Sequence, residues 1–159
     1  MTGIGSAAVL QMDMKAAANI VTKENARVAK MINIKSSARS TTVKPAGTTS
    51  LVLGTSSGIH AWHNDYYVRR VRVGKNESMY KYLIKNHPDL VEDEYFRPHD
   101  TAVISIPQKA PEGSILRDES PFALLERIKK VANEWVRTGH RRGSNTHNVS
   151  ATVLSLIHI

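Results

Sequence analysis

The spacing of apolar residues constrains the fold of this chain most, because helical and extended patterns alternate along it. After Asp13, a suitable helix N-cap, apolar residues recur at helical spacing through about Ile32. A second long helix is predicted to begin at Ser120-Pro121, where a capping serine precedes a proline, and to continue through Val136.

Three segments are predicted to be strands. Residues 66–73 alternate aromatic or β-branched residues with arginines, residues 102–107 form a short apolar run, and residues 149–154 would form a final strand. A short helix that begins at Asn76 or Ser78 and ends near His87 lies between the first two strands. Strands that alternate with helices, without an internal repeat, favour an α/β or α+β fold.

The composition is that of a globular protein with a packed core. The chain has 159 residues, of which 41% are apolar and 23% charged, and this length fits one domain. No apolar run approaches the roughly 18 residues that span a bilayer, and the N-terminus carries no signal pattern, so we expect a cytoplasmic protein. The chain contains no cysteine, which excludes disulfides, thiolate metal sites and thiol chemistry of its own.

The formal net charge of +8 favours a polyanionic partner, although solvated basic faces are the more ordinary explanation of such an excess. One interpretation is a small basic nucleic-acid-binding module. It would set arginines against phosphates and use aromatic side chains as stacking surfaces. The residues concerned are Arg69, Arg70, Arg72, Arg141 and Arg142, with Trp62, Tyr66 and Tyr67.

The sharpest local feature is the segment 45–50, Pro-Ala-Gly-Thr-Thr-Ser. Small residues leave successive backbone N–H groups uncovered, and a helix that begins there directs its positive end at a bound anion. Such a segment suits a phosphate, although an ordinary capped turn has the same local chemistry. It is not a Walker A loop, because no Gly-Lys-Ser/Thr follows at the required spacing.

Two other clusters of ionisable residues have the residue types of a metal or catalytic site. His60 and His63 stand three residues apart, a spacing that on a helix would suit a metal, but turn residues flank them and no carboxylate is in register. The run Glu92-Asp93-Glu94 offers paired carboxylates for acid–base catalysis, but its composition is more typical of a solvated helix or loop face. Neither cluster is therefore assigned a metal-binding or catalytic role.

Several motifs taken together resemble the catalytic chain of the ribonucleotide reductases, most closely the adenosylcobalamin-dependent ribonucleoside-triphosphate reductases. They occur in the family's order, as TVKPAGTTS at residues 42–50, GTSSGIH at 54–60, YYVRR at 66–70 and NVSATV at 148–153. The resemblance implies that residues 1–153 are a C-terminal segment of the family's ten-stranded α/β barrel. It also implies that the substrate phosphates bind at Ala46, Gly47, Thr48, Thr49 and Ser50.

The resemblance further implies a parent enzyme that reduces ribonucleotides in deoxyribonucleotide biosynthesis for DNA replication. That enzyme would use adenosylcobalamin, a ribonucleotide substrate and a thioredoxin-type reductant, with no membrane partner and no direct nucleic-acid partner. In the family a cysteine thiyl radical removes the 3′ hydrogen and a cysteine pair supplies electrons. Because this chain has no cysteine, we expect it to be a fragment that is inactive alone, without catalytic residues of its own.

Two further expectations follow from the resemblance. Residues 154–159 depart from the family and look like a translated sequencing adapter, so we expect a non-native tail, the alternative being the end of a native apolar strand. Tyr66 and Tyr67 are interpreted as packing residues rather than a radical relay, because this stretch resembles enzymes that generate their radical at the cofactor.

Overall fold

The computed structural model describes residues 1–140, 143 and 145–153. The chain divides into two compact units, of which the first combines residues 1–63 with the described residues after Lys109 and the second is Asn64–Lys109. The tail at 154–159 lies outside the described residues, as do Arg141 and Arg142. No helix in the described part of the chain is long and apolar enough to cross a membrane.

Helices belong to both units, whereas the sheet belongs to the second unit. A π-helical turn, Ala132–Val136, extends the last helix, and 3₁₀ turns lie at Ile4–Ser6, Ala8–Gln11 and Pro88–Leu90. Within the described residues the elements are α1 (Met14–Met31), α2 (Thr48–Val52), β1 (Tyr66–Gly74), α3 (Ser78–Asn86), β2 (Val91–Asp93), β3 (Thr101–Lys109) and α4 (Pro121–Val131).

The helix predicted after Asp13 is confirmed as α1, although several of the apolar residues that predicted it, Ile20 and Met31 among them, are exposed. The Asp13 carboxylate accepts a hydrogen bond of 2.8 Å from the Ala16 amide, which satisfies one of the unpaired N–H groups at the helix start. Met14 and Ala18 are completely buried along the inner face of the helix. Beyond the last turn, Asn33 adopts a positive φ of 56°, and the chain leaves the helix there.

Helix α4 begins where the serine and proline predicted it. The Ser120 hydroxyl accepts from the Ala123 amide at 3.2 Å, and Pro121 occupies the first helical turn. From Ala132 the helix widens into the π-helical turn, which the sequence pattern did not indicate. Buried apolar residues of the first unit form a core that comprises Ile4, Met14, Val43, Ile59, Leu124, Val131 and Val136.

The second unit is a three-stranded antiparallel sheet in the order β1-β3-β2. Strand β1 pairs along its whole length with β3, from Tyr66 opposite Lys109 to Gly74 opposite Thr101. Its small core contains Val73, Ala102 and Ile104, against which Tyr80, Leu83 and Val91 pack. The predicted strands at 66–73 and 102–107 and the short helix α3 are therefore confirmed.

The structure corrects two predictions about local elements. Residues 149–153 form no strand, because the Thr152 amide donates to the His60 ring at 3.0 Å instead of entering a ladder. The acidic run, predicted as a helix or loop face, includes the end of strand β2, and Glu94 is buried rather than solvated. The sheet seen here is antiparallel and confined to the second unit, so the ten-stranded barrel remains a prediction.

Candidate functional site

The segment predicted to bind phosphate forms a turn that leads directly into α2. Gly47 precedes the helix with φ 56° and ψ −119°, a backbone conformation that side-chain-bearing residues rarely adopt. A Cβ placed on Gly47 would meet no atom within 4 Å, so the space beside its backbone is open. Glycine therefore suits this position for two reasons: it adopts the backbone conformation of the turn, and it leaves the backbone accessible.

Two of the five predicted amides already have acceptors within the chain. The Gly47 amide donates to the Ser57 hydroxyl at 3.0 Å, and the Thr49 amide donates to the Ala46 carbonyl at 3.2 Å. The second bond belongs to the tight turn that begins the helix. A ligand that binds the Gly47 amide would have to replace the Ser57 hydroxyl as the acceptor of this hydrogen bond or share the amide hydrogen with it.

The five predicted residues differ in their exposure to solvent. Gly47, Thr48 and Thr49 are exposed and Ala46 is half-buried, whereas Ser50 is 1% exposed. The Ser50 hydroxyl lies 3.4 Å from the Thr2 hydroxyl. The structure thus brings the first four residues to the surface and turns the Ser50 side chain inward.

A second glycine- and serine-rich loop, residues 54–58, lies against the first, and we call it the supporting loop. A Cβ on Gly58 would come within 3.1 Å of the Pro45 Cα, so only glycine permits this approach without displacement. The Gly58 amide donates to the Thr2 hydroxyl at 2.8 Å, and its carbonyl accepts from the Ile4 amide at 2.8 Å. The sequence showed this loop as a motif but did not indicate its contact with Gly47.

His60 fixes the end of the supporting loop. Its amide and its Nδ1 both bond the Ser57 carbonyl, at 3.1 and 3.0 Å, and its Nε2 accepts from the Thr152 amide at 3.0 Å. This network assigns the neutral tautomer with the proton on Nδ1. The Nδ1 of His63 instead contacts Arg117 at 2.8 Å. Among the described residues, no group of three or more candidate ligands is arranged to hold a metal.

Two of the arginines considered for nucleic-acid binding, and a neighbouring lysine, are paired with carboxylates. Arg70 forms an ion pair with Glu92, Arg72 contacts Glu94 at 3.1 Å, and Lys75 contacts Asp93 at 2.6 Å. A nucleic-acid interface needs arginines whose charge is available to phosphates. These pairs therefore lend no support to the interpretation as a nucleic-acid-binding module.

The aromatic residues proposed for stacking differ in environment. Trp62 is 5% exposed and donates from its indole nitrogen to the Ser6 hydroxyl at 3.1 Å. Tyr66 is 63% exposed, with the Lys109 ammonium 5.4 Å from its ring centroid, and Tyr67 is half-buried. Interpretation as a packing residue is therefore wrong for Tyr66, whose ring lies at the surface because β1 turns it away from the sheet's small core.

Comparison with solved structures defines the class of fold. The chain matches a crystal structure of a B12-dependent (class II) ribonucleotide reductase with a TM-score of 0.63 and 20% sequence identity. The match covers 84% of this chain and 19% of that structure. At this identity the similarity is one of fold, and it identifies the chain's architecture as that of part of such a reductase.

Curated relatives make the resemblance more specific. An adenosylcobalamin-dependent ribonucleoside-triphosphate reductase from Euglena gracilis is 30% identical over 72% of this chain. A probable enzyme of the same name from Dictyostelium discoideum is 30% identical over 60% of the chain, and one from Lactobacillus gasseri is 32% identical over 50%. These matches confirm the resemblance that the sequence motifs indicated. The relatives are named as adenosylcobalamin-dependent, which confirms the cofactor expected for the parent enzyme.

These matches are partial on the side of the relatives. The chain spans 15%, 12% and 10% of the length of the three relatives, in the order given. No family model matches the chain. The similarity therefore concerns one segment of a much longer enzyme.

Proposed function

We propose that this chain is a segment of a cytoplasmic adenosylcobalamin-dependent ribonucleotide reductase, and that residues 46–50 hold the phosphates of its ribonucleotide substrate. The parent enzyme would supply deoxyribonucleotides for DNA replication, with electrons from a thioredoxin-type reductant. The observation that supports the site most directly is Gly47, whose positive φ and open flank leave its backbone accessible at the start of α2.

The chemistry of this segment suits an anion. A phosphate needs several donors that converge, and backbone amides supply them at low cost because they are already ordered. Thr48 and Thr49 are exposed, and their hydroxyls are further possible donors. Ser50 would contribute through its backbone, since its side chain is buried against Thr2.

Neither cavity of the described residues is assigned to cobalamin. The cavity beside His60 and the start of α4 has a volume of about 110 Å³, well below the roughly 300 Å³ at which small-molecule pockets begin. The cavity of about 570 Å³ in the second unit is lined by the ion-paired side chains of Arg70 and Arg72 with Glu92 and Glu94. The chain also contains no cysteine to carry or receive a radical. We therefore assign no cofactor contact and no radical step to this chain.

Substitution of Gly47 tests the proposed site. In the full-length reductase that contains this segment, we expect Gly47→Val to weaken nucleotide binding by more than about tenfold, because a branched side chain both strains a positive φ and blocks approach. Thr48→Ala should weaken it less, by about fivefold, because it removes a hydroxyl and leaves the amides in place. The measurement is equilibrium nucleotide affinity, and unchanged affinity for Gly47→Val would refute the assignment.

A further inference from the structure

The last described segment of the chain, residues 145–153, is bonded to the ring of His60 in the first unit, and we call it the C-terminal segment. The Thr152 amide donates to the His60 Nε2 at 3.0 Å. The other ring nitrogen, Nδ1, lies 3.0 Å from the Ser57 carbonyl, which can only accept. Nδ1 therefore carries the proton and Nε2 serves as an acceptor, so this arrangement requires a neutral ring.

A second histidine, His140, makes the same pair of contacts nearer the start of the C-terminal segment. Its Nε2 accepts from the His147 amide at 2.8 Å, and its Nδ1 bonds the Val136 carbonyl. This ring is therefore also neutral, with its proton on Nδ1. Two amides of one segment thus depend on histidine nitrogens that carry no hydrogen.

The remaining contacts of the C-terminal segment do not require a neutral histidine. Arg39 donates from its Nε to a carbonyl of the segment at 3.0 Å. The Nδ1 of His147 lies 3.2 Å from the Thr41 carbonyl, and a protonated ring can also donate there. Val149 and Ala151 are half-buried and pack against the core of the first unit. These contacts would keep the segment near the unit after its two histidine-bonded amides are released.

The charged groups around His60 do not favour a proton on its ring. Arg117 and Glu119 line the same cavity as His60. The Glu119 carboxylate is already bound by both guanidinium nitrogens of Arg127, at 2.5 and 2.6 Å. Among the described residues, His60 forms no ion pair with a carboxylate. Arg117 therefore adds a positive charge beside the ring, whereas the negative charge of Glu119 is largely neutralised.

The charged groups around His140 act in the same direction. Arg39 lies opposite His140 in an isolated β-bridge, and the carbonyl of Arg137 accepts from the His140 amide. The ring of His147 meets that of His140 edge to face, with 5.2 Å between the ring centroids. If both rings took up a proton, two positive charges would face each other at this distance and repel.

We propose that His60 and His140 form a pH-sensitive attachment for the C-terminal segment, which bonds the Thr152 and His147 amides at neutral pH and releases them in acid. A proton on Nε2 turns the acceptor into a donor that faces an amide N–H, so the bond is lost. Histidine ordinarily takes up a proton between about pH 8 and pH 5. Because the bonded arrangement requires neutral rings, the attachment is complete at the upper end of this range and is lost as the pH falls.

Release would also change the surroundings of His60. Thr152 lines the cavity beside His60, so departure of the segment removes one wall of that cavity. The inference concerns the fold of the first unit and goes beyond the proposed nucleotide site. It stands or falls independently of where the nucleotide binds.

Amide hydrogen exchange in the purified 159-residue chain tests the attachment. We expect the protection factors of the Thr152 and His147 amides, which are corrected for the intrinsic effect of pH on exchange, to fall at least about fivefold from about pH 7.5 to about pH 5. This fall corresponds to the loss of one hydrogen bond at each amide. The Trp62 amide, which donates to the Ile115 carbonyl at 2.8 Å in the same unit, is the internal reference and should change by less than about twofold.

Substitutions by glutamine separate the two histidines, because glutamine offers an acceptor oxygen and does not titrate. His60→Gln should remove the pH dependence at the Thr152 amide, and His140→Gln should remove it at the His147 amide. The control is His99→Gln, since the His99 side chain belongs to the second unit and is 77% exposed. This variant should keep the pH dependence of both amides.

Three results would overturn the inference. The first is protection at Thr152 and His147 that does not change with pH in the unmodified chain. The second is an equal fall at the Trp62 amide, which would show general unfolding in acid, and the third is a pH dependence at Thr152 that survives in His60→Gln.

A titration of the unmodified chain decides the question if a glutamine variant does not fold. Nitrogen chemical shifts of the His60 and His140 rings report proton uptake directly. Each ring should take up its proton at the same pH midpoint as its bonded amide loses protection. Different midpoints for ring and amide would refute the attachment.

Discussion

Glu119 and Arg127 form the most buried ion pair described in this chain. Their side chains are 15% and 7% exposed, and the two guanidinium nitrogens of Arg127 contact the two carboxylate oxygens at 2.5 and 2.6 Å. Glu119 lies just before α4 and Arg127 lies within it, eight residues later. Charges this poorly solvated are tolerated only when paired, so each side chain depends on the other.

Loss of one partner should therefore be costly. We expect Arg127→Met, which keeps much of the side-chain volume, to lower the free energy of unfolding by about 3–5 kcal/mol because Glu119 is left without its counter-charge. Urea denaturation measures the change. Lys129→Ala is the control on the same helix, since its pair with Glu126 is 68% and 74% exposed and should contribute less than about 1 kcal/mol. Similar losses in both variants would contradict this account.

At the scale of elements, the end of β2 is held by Glu94. Its carboxylate accepts the amides of Phe96 and Arg97 at 2.8 and 2.9 Å and contacts Arg72 on β1 at 3.1 Å. Burial acts to raise the pKa of Glu94. The hydrogen bonds from Arg72, Phe96 and Arg97 outweigh it and hold the pKa below its ordinary value of 4.5. The ionised form therefore stabilises the folded sheet.

This depressed pKa predicts how the second unit responds to acid. The contribution of Glu94 to stability should be complete above about pH 4.5 and should be lost as the pH falls through the lower, folded-state pKa. We expect Glu94→Gln to be less stable than the unmodified chain at pH 7, and we expect the difference to shrink toward pH 3. Denaturation midpoints at several pH values test this, and a difference independent of pH would contradict it.

At the scale of the whole molecule, the chain leaves many large apolar side chains in contact with solvent. In the first unit, Ile20, Met31 and Phe122 are 67%, 69% and 79% exposed, and Val52 is 83% exposed. Helices α1 and α4 nevertheless contribute other side chains to the core of this unit. A segment of a larger enzyme would expose apolar side chains of this kind where it packs against the rest of the protein. This exposure supports the proposal that the chain is a segment of a larger reductase.

The absence of cysteine predicts the behaviour of the isolated chain. We expect the purified 159-residue chain to form no deoxyribonucleotide from any ribonucleotide, even with adenosylcobalamin and a dithiol, because it has no thiol to abstract hydrogen or supply electrons. Chromatographic detection of deoxyribonucleotide measures the reaction, and the full-length reductase serves as the positive control. Product above the protein-free blank would refute the proposal that this segment is inactive alone.

Much of the local structure could be predicted because its signals are local. The caps at Asp13 and Ser120 and the apolar periodicity that follows them specify α1 and α4, and the alternation at 66–73 specifies β1. The order of short motifs likewise predicted the family whose relatives the chain matches. In each case neighbouring residues carry the information, since capping, periodicity and turn chemistry act within a few positions.

The sequence by itself thus determined helices α1, α3 and α4, two of the strands and the turn at Gly47. Only the tertiary structure decided that Ser50 faces inward, that Ser57 bonds Gly47, that Glu119 meets Arg127 and that residues 149–153 form no strand. The physical reason is that burial and hydrogen-bond partners depend on which distant segments come together. A serine has the same local preferences whether its hydroxyl meets solvent, Thr2 or an amide ten residues away.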